Sequence, residues 1–146
     1  MKSNSKIVEV LSDLILINRD RIAGYERASH IEAELDPGAQ SAFYKISNDS
    51  RSFVNDLHSQ ILRLGGSPVT QASIPGGLYG YWTSLGADFT GIDPHSMLAA
   101  LEYGEESVQK AYRQALEAGI WFPDEVQRLL ENQLGRLQRL HESGVY

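Results

Sequence analysis

The stretch from Asp93 to Gly119 constrains the fold more than any other, because it reads as one amphipathic helix with a carboxylate set inside its apolar stripe. Leu98, Leu101, Val108, Tyr112 and Ala115 recur at helical spacing, and Glu105 falls on the same row. A core-facing carboxylate without a partner costs on the order of several kcal/mol. Glu105 therefore requires a wet gap, a polar group on a facing helix, or a cation.

Three further helices surround this one. Ile7, Leu11, Leu14, Ile15, Asn18, Ile22, Tyr25 and Ser29 trace one face of a helix from about Ser5 to Leu35, stopped by Asp36-Pro37-Gly38. A second is expected from Gly38 to Leu64, with Phe43, Ile46, Ser50, Phe53, Leu57, Ile61 and Leu64 on one face and Gly65-Gly66 as its stop. The turn between them is short, so they should pack antiparallel. Asp93 and Pro94 suit the N-cap and first turn of the third helix. The fourth is expected from Pro123 to Glu142, presenting Val126, Leu130, Leu134, Leu137 and His141, with Gln133 nearby.

Between the second and third helices, residues 67–92 are rich in Gly and Ser yet carry Leu78, Tyr79, Tyr81, Trp82, Leu85 and Phe89. So many aromatics do not suit a floppy linker, and the segment is expected to cross the molecule while packed on it, with a short helix near Leu78 to Leu85. Two antiparallel hairpins joined by a long crossover result, with helices two and three parallel.

At 146 residues the chain suits one domain, residues 1–146. With 13 Lys+Arg against 19 Asp+Glu, the net charge of -6 argues against a nucleic-acid or anionic-membrane surface. The absence of Cys removes disulfides, thiol catalysis and thiolate metal sites, and fits a cytoplasmic protein. Glu9, Ser12 and Asp13 interrupt the apolar N-terminal run, so neither a signal peptide nor a membrane span is expected. The glycines at 76, 77 and 80 lack the Lys-Ser/Thr and the strand of a phosphate loop, and no G-x-S-x-G elbow supplies a nucleophile.

The connectivity resembles the ferritin-like fold. Tyr25-Glu26, Arg51-Ser52-Phe53, Leu62 to Gly66, Gly80-Tyr81-Trp82, Glu102 to Glu106 with Ala111-Tyr112, and Leu134 to His141 look, in their order and spacing, like a small bacterial family called domain of unknown function 2383. The resemblance covers nearly the whole chain and implies an all-α, ferritin-like four-helix bundle without an assigned activity.

Ferritin-like dinuclear proteins take one Glu from each of two helices and a Glu-x-x-His pair from each of the other two. Carboxylates with imidazole suit iron or manganese. Helices one and three offer Glu26 and Glu105, but the second helix has Ser50 where relatives more often carry Glu, followed by Phe53 in place of His. In the fourth, His141 follows Gln138, and no Glu-x-x-His occurs in the chain. A complete pair of ions is not expected. A single weak site of Glu26, Glu105 and His141, with Glu102, is the metal alternative.

Each residue also has a plainer role. Glu26 can pair with Arg27, Lys45 or another surface cation; Glu105 can hydrogen-bond Ser50, Gln133 or a Tyr hydroxyl; His141 can end the apolar stripe. The expected function is a binding or assembly module with an incomplete metal site, set against an iron- or manganese-dependent oxidoreductase or iron-handling protein. Tyr79, Tyr81, Trp82 and Phe89 are candidates for a homodimer contact, or else cover a side of their own bundle.

Overall fold

The computed structural model describes residues 2–32, 37–87, 89 and 96–142. Among the described residues 81% are helical and none lies in a strand. The elements are α1 (Lys2–Glu32), α2 (Pro37–Arg63), α3 (Gly77–Ser84), α4 (Met97–Glu117) and α5 (Asp124–Glu142). No helix is long and apolar enough to cross a membrane, among the described residues.

The pattern of threes and fours places these helices within about three residues of expectation: α1 begins at Lys2, before the expected Ser5, its expected end at Leu35 lies outside the described residues, and the expected glycine stops hold. Gly65 and Gly119 have φ of 82° and 78°, the left-handed conformation that ends a helix at little cost for a residue without Cβ. The expected Asp93 cap and Pro94 start lie outside the described residues; the described helix begins at Met97, preceded by Ser96. Leu98, expected on the stripe, is 54% exposed, because the buried face of α4 begins with Met97 and Leu101.

Contacts fix the directions. Tyr25 meets Phe43, Arg21 meets Ser50, and Val8 lies against Gly66, so α1 and α2 run antiparallel. Arg21 with Glu105 and Asn18 with Tyr112 make α1 and α4 antiparallel as well. Phe53 with Gln133, Asp49 with Arg136 and Arg63 with Glu125 do the same for α2 and α5. Accordingly α2 and α4 point the same way, as the long segment joining them requires. That segment carries α3, which packs on both α1 and α4.

Helix α1 touches α2, α3 and α4, and this explains why it buries more of its circumference than a single stripe. Val10, Ile17 and Ala28 are buried along with the expected row. The buried apolar side chains of all five helices form one cluster.

Candidate functional site

Because three helices surround α1, a polar residue on it can be sealed from water, and Arg21 is. Its side chain and that of Glu105 are both 0% exposed. The guanidinium Nε donates to Glu105 Oε1 at 2.5 Å and Nη2 donates to Oε2 at 3.0 Å, a two-point contact that matches the planar fork to the carboxylate. Nη1 donates to Ser50 Oγ at 2.7 Å, and the guanidinium lies 5.4 Å from the centre of the Tyr25 ring.

The hydrogen bonds continue through the core. Ser50 Oγ donates to Asn18 Oδ1 at 3.1 Å. Asn18 Nδ2 donates to the Leu14 carbonyl and to the Tyr112 hydroxyl, both at 2.9 Å. Tyr112 donates in turn to Gln133 Oε1 at 2.6 Å, and Gln133 Nε2 donates to the Phe53 carbonyl at 3.3 Å. One polar chain thus links α1, α2, α4 and α5. Burial pushes the Tyr112 phenol far above its ordinary pKa, against the opposing pull of the Asn18 bond and the Arg21 charge, so it stays protonated and donating.

Of the expected ligands, only Glu105 belongs to this chain. Glu26 has a side chain 41% exposed and pairs with Arg51, another surface cation. It sits five residues beyond Arg21, about 7.5 Å along the axis. Glu102 is exposed, and the side chain of His141 lies outside the described residues. Ser50 stands at the level of Glu105, as expected, with Arg21 between them. Among the described residues no group of three His, Asp or Glu is placed to hold a metal ion.

Arg21 is the residue that pattern reading misses. Its signal was present: Asn18, Arg21 and Tyr25 follow each other at three and four. Hydropathy favours Ile22 for that row, but Ile22 is only half-buried. A guanidinium is admitted to the core because Glu105 waits opposite, a fact that no single helix contains.

A second polar set fixes the crossover. Asp13, 1% exposed, accepts from the backbone N–H of Gly76 at 2.8 Å and of Tyr79 at 3.0 Å, while Glu9 accepts from Gly77. Helix α3 has no acid in its own first turn and no side-chain bond from its N-cap Gly76. Its N-terminus is satisfied by α1 instead. Burial raises the Asp13 pKa, the N–H donors of Gly76 and Tyr79 oppose this, and nearby Glu9 adds to the rise. Asp20 accepts from the Tyr79 hydroxyl at 2.8 Å and from Trp82 Nε1 at 3.1 Å. Burial and the bond to Asp20 push the Tyr79 phenol up to about 12.

Trp82 and Phe89 are buried against their own helices, stacked with centroids 6.0 Å apart, while Tyr79 and Tyr81 are half-buried. A Cβ built on Gly24 of α1 or on Gly104 of α4 would come within 2.4 Å of the Phe89 ring. The ring therefore occupies a slot that only two glycines leave open, beside Glu105 in sequence. Earlier in the crossover, the Val69 N–H donates to His58 Nε2 at 3.2 Å and its carbonyl accepts from Arg19 at 3.1 Å.

Fold and site together define an all-α protein whose helices are joined through a sealed arginine–carboxylate pair. The model of the family described as Domain of unknown function (DUF2383) matches residues 6–118, from the start of α1 through α4. The chain belongs to that family. Comparison with curated proteins finds no match.

Proposed function

We propose that the chain is a ferritin-like four-helix bundle, built from α1, α2, α4 and α5, that acts as a binding or assembly module. In this reading a guanidinium does inside the bundle what a metal ion does in the dinuclear relatives of the fold. The antiparallel pairings and the long crossover support the architecture.

The observation that carries the reading is the two-point contact between Arg21 and Glu105 at zero exposure. Both carboxylate oxygens already accept N–H donors, and a fixed positive charge beside them opposes entry of a divalent cation. Ser50 also takes its hydrogen bond from Arg21 instead of supplying a carboxylate. With Arg21, Glu105, Ser50, Asn18, Tyr112 and Gln133 bonded to one another, recognition is left to the outer faces.

Metal analysis of protein purified without chelator, with anomalous scattering from its crystals, tests this. Sub-stoichiometric iron and manganese are expected, with no anomalous peak beside Glu105. Stoichiometric metal held by Glu26, Glu105 and His141, with or without Glu102, would restore the oxidoreductase or iron-handling alternative.

A further inference from the structure

We propose that residues 67–75, the first part of the crossover, form a flap that acid releases from the bundle, with His58 as the proton acceptor that opens it. The device goes beyond the binding-module reading and is independent of it.

The flap is held at one peptide group. Its sequence, SPVTQASIP, contains no charged residue, and Val69, 5% exposed, is its one buried side chain. Three of its hydrogen bonds stay within the segment: Thr70 N–H donates to Ser73 Oγ at 2.8 Å, Ala72 N–H to Thr70 Oγ1 at 3.2 Å, and Ser73 N–H to the Thr70 carbonyl at 3.1 Å. Among the described residues, the bonds that leave the flap belong to Val69. Its N–H donates to His58 Nε2 of α2 at 3.2 Å, and its carbonyl accepts from Arg19 Nη2 of α1 at 3.1 Å. A stretch so thinly tied opens before the helices beside it do.

A protonated imidazole cannot serve this clamp. With Nε2 accepting, the ring proton sits on Nδ1; a proton on Nε2 replaces its lone pair with an N–H that faces the Val69 N–H, donor against donor. The new charge also stands near Arg19, the charged group that faces His58 from α1. Positions three and four residues away on α2 hold Val54, Asn55, Ile61 and Leu62, and the flap is uncharged, so neither compensates an imidazolium. Burial, and then Arg19, lower the His58 pKa from 6.5, so the bond is fully present above pH 6.5 and is lost as pH falls toward the folded value.

The next fastening responds with the opposite sign, which confines the release. Asp13 holds the N–H groups of Gly76 and Tyr79, and burial raises its pKa above 3.8, with Glu9 on its own helix adding to the rise. From α3 it faces the Tyr79 phenol, which is pushed up to about 12 and is neutral. A raised carboxyl favours the closed form when it gains a proton, so acid does not loosen this cap. At its other end the flap follows Gly65, at φ of 82°, and Gly66. It therefore swings between Gly65 and Gly76 while α3 stays on α1.

The test follows amide exchange of the full chain from about pH 7.5 to about pH 5, corrected for the intrinsic rate. Protection of Val69 is expected to fall at least about tenfold, while that of Gly76 and Tyr79 and the helical circular dichroism hold. Because the chain has no Cys, Ser59→Cys with Ile74→Cys, both exposed, takes two nitroxide labels, one on α2 and one on the flap. Their distance distribution should be narrow at the higher pH and broaden at the lower. His58→Gln keeps an acceptor that does not titrate, and should leave both readouts flat with pH. A flat wild-type profile, a pH response that survives His58→Gln, or protection lost at Gly76 and Tyr79 together with Val69 overturns the proposal. So does opening that occurs only with loss of the helical signal.

Discussion

Arg21 and Glu105 each neutralise a charge that the surrounding hydrocarbon cannot solvate, so neither can be removed alone without stranding the other. Arg21→Ala or Glu105→Ala is expected to lower stability by about 3–5 kcal/mol, read from urea unfolding. Arg21→Met with Glu105→Leu should recover most of that loss, since apolar groups of similar volume need no partner. Single substitutions costing under about 1 kcal/mol would show that the pair is not sealed from water. His58 offers a second residue-level measurement. Burial, and then the nearby Arg19 charge, lower its pKa, and its Nε2 accepts from Val69 only when unprotonated. A depressed folded-state value means the contribution is fully present above pH 6.5 and is lost as pH falls toward the lower folded value. Exchange of the Val69 amide with solvent should therefore accelerate below pH 6.5, after correction for the intrinsic rate, and His58→Gln should remove that pH dependence.

The informative element is α3, eight residues long and too short to persist alone. It exists because α1 caps it and because Trp82 and Phe89 anchor it. Asp13→Ala withdraws an acceptor from two partly buried backbone N–H groups and is expected to cost about 1–3 kcal/mol, with Trp82 emission moving to longer wavelength as the crossover loosens. Unchanged emission would mean that aromatic packing holds the segment without the cap. Gly104→Ala places a methyl where the Phe89 ring now lies, and the rigid helix cannot yield. A cost of about 1–3 kcal/mol in thermal unfolding is expected, partly relieved when Phe89→Leu is added. Strict additivity of the two changes would count against the shared slot.

Across the whole molecule, the hydrogen-bonded chain from Glu105 to the Phe53 carbonyl ties four helices to one another through buried groups. Unfolding should accordingly be a single transition, with tertiary signal from Trp82 and helical circular dichroism lost together. A separated early loss of the Trp82 signal would place the crossover in an independent unit. The family match ends at residue 118, so α5, which closes the polar chain through Gln133, lies beyond the matched region.

Helix positions, the antiparallel first hairpin and the buried place of Glu105 were legible in the chain, since each rests on spacing, stop residues and the cost of exposing hydrocarbon. The short crossover helix was legible for the same reason. What only tertiary structure decided is which partner answers that carboxylate: Arg21 is 84 positions away, and its burial is allowed by a facing charge, not by its own helix. Likewise Asp13 reads as a break in an apolar run, but it is a cap reaching 63 residues onward to Gly76. Periodicity is a property of one helix, whereas charge neutralisation and backbone capping are properties of two surfaces brought together.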